Sequence, residues 1–500
     1  MHERWLWALT ASASGVLLAL AFPGTDLEAA AWIVLAPPLA LALRTPPRAA
    51  FGWAWLAGTV FFLILLRWLD FTFTMYSAIP WPLTWGPLLM LAAYCGLYVG
   101  AVHALVALLA RRGAPALALA TVPFAWVAGE WVRGHLMGGF PWGSLGYSQY
   151  RTLLVIQIAE LGGVYAVSFV VAAVNAALAA AVSLPRPRAL TAVALAAGLV
   201  AATLGFGWGR LAEPAPAGEI PIALMQPAIE QPLKFDPSHA GRTLATYVAL
   251  TERAARERPA LIVWPETAAP APVRHDPALL AAVQALERRV GVPLLIGSLD
   301  VRGTSQPRYL NTAFLLTDRG LQQRYDKMHL VPFGEYVPLA SVIGFVRDWA
   351  EFIADLEPGT RADVFSGPPA PFGVVICYEG IFPELVREFV KGGARLMINM
   401  TNDGWFGRTV GPQQHLSMYP FRAVEHRTWV VRAANTGISA AIDPAGRIRE
   451  SLSLYERANL VARVGLRQGE TLYTRFGDWL AYVALAVTGL AAAALATGRP

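Results

Sequence analysis

VVICYEG, residues 374–380, is an apolar run that climbs to Cys377 and stops at a tyrosine, a glutamate and a glycine. The chain holds two cysteines in 500 residues. A thiol that ends a buried strand is either a small packing residue or a nucleophile, and the rest of the chain bears on which.

Similar short β-rich runs recur around it: Ile220–Gln226, Ala260–Trp264, Pro293–Gly297, Thr312–Leu316 and Leu396–Asn399. Helix-like stretches lie between several of them, at 242–258, 277–290 and 383–391. Strands alternating with helices predict an α/β domain with a largely buried sheet. Catalytic groups gather at the carboxyl ends of strands in such sheets. Three strand ends here carry reactive side chains: Glu266 in WPET, Lys327 and Glu335 in RYDKMHLVPFGEYVP, and Cys377 with Glu379 in VVICYEG. Lys327 is one of three lysines among 40 basic residues, with Lys234 and Lys391. A chain so biased to arginine has used a compact ammonium there, whose pKa can shift. A thiol with a pKa of about 8.5 is mostly unreactive at neutral pH. A carboxylate can take its proton, and a cation can stabilise first the thiolate and then the oxyanion formed by its attack on a carbonyl.

The rest of the composition concerns a membrane. The chain is 55% hydrophobic and 15% charged, too apolar for an ordinary soluble protein. Eight apolar spans are expected, at 5–22, 29–43, 51–69, 84–110, 114–131, 161–184, 189–207 and 479–497. The weakest is 29–43, which is short and carries Pro37 and Pro38. The first span reads as an uncleaved helix, because the small-residue triplet Ala11–Ala13 comes too early for a signal cleavage site. Arginines cluster in alternate connections (Arg4; Arg44 and Arg48; Arg111 and Arg112; Arg186 and Arg188; Arg499), which the positive-inside rule assigns to the cytoplasm. The net charge of +6 is explained by that topology rather than by nucleic acid. The expected division is a membrane bundle at 1–212, a catalytic domain at 213–475 and a last membrane helix at 476–500. With seven helices before it, the soluble domain falls on the far side, the periplasm of a bacterium, and both termini stay inside. Cys377 is then a free thiol in an oxidising compartment, a hazard unless used. Cys95, within an apolar span, reads as packing.

No Gly-rich nucleotide turn and no His/Cys cluster with metal-ligand spacing occurs, so no cofactor and no metal is expected. Segment 338–359 places Leu339, Ile343, Phe345, Val346, Trp349, Phe352 and Ile353 on roughly helical spacing. It reads either as a helix packed on its own domain or as an arm dipping into the outer leaflet to admit an acyl chain. Glu130 and Arg133, three apart, predict a local ion pair.

The order Glu in WPE, Lys in YDKMHLVPFGEYVP, Cys in ICYE resembles the nitrilase (carbon–nitrogen hydrolase) superfamily. Over nearly the whole chain it resembles that superfamily's membrane branch, the apolipoprotein N-acyltransferases. EWVRG (130–134) and GFPWGSLGYSQ (139–149) look like the branch's membrane signature; NMTNDGWFG (399–407), GPQQHL (411–416), RAVEHR (422–427) and RAANTGISAAIDPAG (432–446) look like its soluble half. The resemblance implies an α-β-β-α sandwich and ping-pong transfer of an sn-1 acyl chain from a membrane phospholipid. The acyl chain would pass through a thioester on Cys377 to the α-amino group of an apolipoprotein's diacylglyceryl-cysteine. It casts Glu266 as general base, Lys327 as the cation at the tetrahedral intermediate and Glu335 as a second carboxylate orienting Lys327 or the amine. Tyr378, Glu379, Asn402 and Trp405 would line the site. Phe235 stands where the branch often has tryptophan. A monomer in the inner membrane is expected. Two rivals differ in class: a tethered amidase acting on a small amide, and a transporter or scaffold whose soluble domain only binds. The second would need polar groups inside the spans, and beyond Glu130 there are few.

Overall fold

The computed structural model describes residues 2–213, 219–234, 236–303, 307–337 and 355–496. Phe235 and most of the 338–359 arm lie outside them. The chain divides into two units: 1–70, 80–213 and 475–500 form one, and 71–79 with 214–474 the other.

The first unit is helical. Among the described residues five helices are long and apolar enough to cross a membrane: Pro47–Leu65, Trp85–Arg111, Pro115–Gly138, Val164–Ser183 and Arg186–Ala212. Apolar helices also run over His2–Leu20 and Trp479–Ala496, and the stretches Glu28–Ala42 and Leu153–Gly162 are shorter, so several spans are supported and the expected count of eight is not established. The stretch with Pro37 and Pro38 is split into a 3-10 turn, Glu28–Trp32, and a short helix, Ala36–Ala42. Helices Pro47–Leu65 and Trp85–Arg111 approach closely because Gly58 faces Gly96. A Cβ on Gly96 would come 2.8 Å from the Thr59 amide.

Glu130 and Arg133 do not form the expected local pair, because both turn to the following loop. Arg133 donates to the Phe140 and Trp142 carbonyls. Glu130 accepts from Trp126 Nε1 (2.9 Å) and the Leu145 amide (2.6 Å). Buried loop groups without water must find such partners.

The second unit has two sheets. The first holds β1 (Ile220–Gln226), β2 (Leu261–Val263), β3 (Leu294–Arg302), β4 (Arg308–Thr317) and β5 (Gly320–Asp326). The second holds β6 (Phe372–Ile376), β7 (Leu396–Thr401), β8 (Val430–Ala434), β9 (Ala440–Ile442) and β10 (Ile448–Ser451). β11 (Ala458–Val464) returns to pair antiparallel with β1, giving the orders β11-β1-β2-β3-β4-β5 and β10-β9-β8-β7-β6. Of the strands read from apolar runs, β1–β3 form the parallel centre of the first sheet, with β4 antiparallel beside them, and β6 pairs in parallel with β7 at one edge of the second, which β8 continues. That burial on both faces is why they are continuous apolar runs. Helices Ala240–Ala255 and Pro277–Val290 cover the first sheet, packing Tyr247, Leu250, Leu279, Val283 and Leu286 on Ile262, Trp264, Leu294 and Ile296. Pro383–Lys391 and Tyr419–His426 lie on the second. With β1 against β8, the layers are helix, sheet, sheet, helix.

Candidate active site

The ends of β2, β5, β6 and β7 carry Glu266, Lys327, Cys377 and Asn402. Trp264 anchors the first turn: its indole stacks on Tyr247 at 4.5 Å and donates to Thr251 at 3.0 Å. Pro265 then turns the chain out. Thr267 follows Glu266 at φ +44°, a backbone region that branched side chains rarely adopt. The turn fits because β3 offers Gly297 beneath it; a Cβ there would lie 2.2 Å from the Pro265 carbonyl oxygen.

The buried Glu266 carboxylate accepts from Asn311 Nδ2 (2.7 Å), Lys327 Nζ (3.3 Å) and the Asn402 amide (2.9 Å). Lys327, itself 1% exposed, also donates to Glu335 at 2.8 Å. Glu335 is fixed by the Val331 amide (2.8 Å) and by Asn311 Nδ2 (3.2 Å). Burial works against the Lys327 charge, but Glu335 and then Glu266 outweigh it and hold the ammonium well above its ordinary pKa. Lys327 is thus held as a charged ammonium at a buried position.

Cys377 follows β6 directly at φ +53°. A non-glycine residue in that region costs of order 1–3 kcal/mol and persists where its surroundings over-determine it. The surroundings here are Asn399 Nδ2 and the Tyr419 hydroxyl, which donate to the Cys377 carbonyl at 3.3 and 3.2 Å. Burial, with Glu266 nearby, pushes the thiol up to about 12, against the pull of Lys327. At pH 7 a thiol held this far up is protonated at rest. The sulfur therefore needs a base that acts as it attacks.

Glu379 is placed differently from the other carboxylates. Its Oε1 accepts from Tyr325 (2.7 Å), the Met328 amide (2.6 Å) and the His329 amide (3.1 Å), and its Oε2 from the Ile376 amide (2.7 Å). It ties the loop carrying Lys327 to the strand end carrying Cys377. Tyr378 packs edge-on against Phe382, ring centres 5.1 Å apart.

A second buried network backs the nucleophile. Asp403 accepts from Arg432 (2.7 Å) and contacts His415 Nδ1 (3.0 Å); His415 Nε2 meets Tyr419 (3.1 Å), whose hydroxyl holds the Cys377 carbonyl. Burial opposes the Asp403 charge, but Arg432 and His415 hold this carboxyl well below the usual range. Burial and the Arg432 charge keep His415 low, hence neutral. In the same loop the Asn402 side chain bridges Gln231 (2.7 Å) and Asn435 (3.0 Å). Trp405 meets Tyr76 edge-on at 5.0 Å, and its carbonyl accepts from Thr72 (2.9 Å).

Of the residues expected from sequence, Glu266, Lys327 and Glu335 join through direct hydrogen bonds, and the Cys377 thiol lies in the field of the first two. Asn402 reaches Glu266 through its backbone. Sequence reasoning missed Asn311, His415, Tyr419, Arg432 and Lys234. Lys234 carried a signal as one of the three lysines, and His415 and Arg432 lay within the quoted motifs GPQQHL and RAANTGISAAIDPAG without being singled out.

Two family models match the chain: Apolipoprotein N-acyltransferase N-terminal domain over residues 14–177, and Carbon-nitrogen hydrolase over residues 222–471. An apolipoprotein N-acyltransferase of Geobacter metallireducens is 41% identical over 495 residues, covering 97% of this chain and 94% of that one. That of Gloeobacter violaceus is 35% identical over 510 residues, covering 98% and 95%. Among solved structures, a nitrilase-superfamily amidase of Nesterenkonia AN1 aligns with a TM-score of 0.39 at 23% identity, over 54% of this chain and 95% of that one. With relatives matched along almost its whole length and a carbon–nitrogen hydrolase domain forming its sheet-bearing half, the chain belongs to the apolipoprotein N-acyltransferase family.

Proposed function

We propose that the protein transfers the sn-1 acyl chain of a membrane phospholipid to the α-amino group of an apolipoprotein's N-terminal diacylglyceryl-cysteine, with Glu266, Lys327 and Cys377 as the catalytic residues. The observation that carries this reading is the buried Glu266–Lys327–Glu335 cluster beside a thiol held at positive φ, in a chain of this family.

In the first half-reaction Glu266 takes the thiol proton as Sγ attacks the ester carbonyl. Lys327 stabilises the oxyanion, a contribution of several kcal/mol in a water-poor site. The carbon–oxygen bond breaks, the proton passes from Glu266 to the leaving alkoxide, and a lysophospholipid departs from a thioester. In the second half the free amine attacks, loses a proton to Glu266 and expels the thiolate, which recovers it. The thioester retains the ester's acyl activation and reacts readily with amines. Glu335 orients Lys327; Asn402, Trp405 and Tyr378 line the path of the substrates. The 213–475 domain would face the periplasm, with both termini cytoplasmic, so that the lipid donor arrives from the bilayer.

The test uses purified protein and a phospholipid labelled in its sn-1 chain. Hydroxylamine-labile label is expected on the protein and absent from Cys377→Ser. Equal label on both, or none on the parent, rejects the reading, and with it the amidase alternative is reopened.

A further inference from the structure

Lys234 is the second of the three lysines, and it too is buried at the site, 4% exposed. It closes the one-turn helix Gln231–Lys234. Its Nζ donates to the Glu266 carbonyl oxygen at 2.8 Å and to the Thr267 hydroxyl at 2.6 Å. It thereby straps the turn that bears Glu266 at its strained residue, Thr267. From the same helix Gln231 accepts from Asn402 Nδ2 at 2.7 Å, and the Asn402 amide is the donor to Glu266 Oε2. One short helix thus holds both the Glu266 turn and the loop that caps its carboxylate.

The charges give this strap a second consequence. Glu266 and Glu335 bring two negative charges, and Lys327 brings one positive. Asp403 and Arg432 cancel each other. Burial lowers the Lys234 pKa to about 8, against Glu266 and Cys377, which favour its charge, so the ammonium persists at neutral pH. Two ammoniums then face Glu266 and Glu335, while Glu379, a third buried carboxyl near Lys327, is held by four donors of its own. When the thiol proton moves to Glu266, the thiolate and Glu335 face the same two ammoniums and the cluster remains balanced. Without Lys234 the same groups would carry one negative charge in excess before and after the proton moves, which a low-dielectric pocket relieves by keeping Glu266 protonated and so leaves the thiol without its base.

We propose that Lys234 is a positioning residue of the reaction, whose ammonium fixes the Glu266 turn and balances the charge that Cys377 acquires as it attacks. This rests on the assignment of Cys377 as nucleophile and Glu266 as base.

The test is the rate at which iodoacetamide alkylates Cys377 at pH 7 in the full chain, in a Cys95→Ala background so that one thiol remains. Lys234→Gln keeps hydrogen-bond donors and loses the charge; Lys234→Arg keeps the charge. Thermal midpoints are measured for both. The Gln variant is expected to react about 10-fold or more slowly than the parent, and the Arg variant within about 3-fold of it. A Gln variant at the parent rate, or an Arg variant as slow as Gln, overturns the proposal. Should the Gln variant lack a thermal transition, Arg decides alone: within about 3-fold of the parent supports the proposal, and about 10-fold slower overturns it. A parent whose Cys377 does not react at all overturns the nucleophile assignment and this inference with it. A reactive parent with an unaffected Gln variant overturns Lys234 only.

Discussion

Cys377 and Glu379, two residues apart, take opposite roles from similar burial. The cysteine sits at φ +53°, and its side chain shares a pocket with the Glu266–Lys327 pair. The glutamate is walled in by four donors and holds the backbone around it. Burial pushes the Glu379 carboxyl up to about 7, although those donors favour its charge. A folded-state value above the ordinary carboxyl range means that the folded chain binds this proton more tightly than the unfolded chain. Its contribution to stability is therefore full below about pH 4 and is lost as pH rises through about 7. The thermal midpoint should fall between pH 4.5 and 7.5, with Glu379 accounting for on the order of 3 kcal/mol. In Glu379→Gln that part of the slope should vanish; a variant with the parent's slope would contradict the assignment.

At the scale of elements, the site depends on how close a turn can come to a strand. The turn after β2 lies on Gly297 of β3, where any side chain would meet the Pro265 carbonyl. Gly297→Ala should displace Glu266 by a fraction of an ångström to an ångström. A misplacement of that size costs up to about 100-fold in rate. Acyl-enzyme formation should drop far more than the thermal midpoint suggests; a variant at full rate would show that the turn tolerates the methyl group. The same scale separates what sequence conveys from what it hides. The parallel strands β1–β3, β6 and β7 were legible because burial on both faces makes them unbroken apolar runs, and the ends of β2 and β6 pointed to Glu266 and Cys377, while Lys327 stood out as one of three lysines. β5, GLQQRYD, escaped because only Leu321 and Tyr325 are apolar in it, and most of it is half-exposed. Asn311 was invisible for another reason. Its bond to Glu266 links residues 45 apart, and no periodicity encodes a pairing between strands. The Arg432–Asp403–His415–Tyr419 network is hidden likewise, since its members come from separate elements.

For the whole molecule, the membrane helices and the hydrolase-like domain set a chemical problem. A cysteine hydrolase admits water to its thioester, whereas a transferase must hold the thioester until an amine arrives. In the proposed reaction the burial of Glu266, Lys327 and Cys377, each under a tenth exposed, would limit the access of water to the thioester. Lipid supply from the bilayer would provide the donor without opening that pocket to solvent. The most direct measurement starts from isolated acyl-enzyme bearing a labelled chain, mixed with a synthetic peptide whose N-terminal cysteine carries diacylglycerol. The label should move to the peptide as a hydroxylamine-stable amide, with little free fatty acid, and an N-acetylated peptide should receive none. Release of the label as fatty acid at the same rate with either peptide would contradict the account.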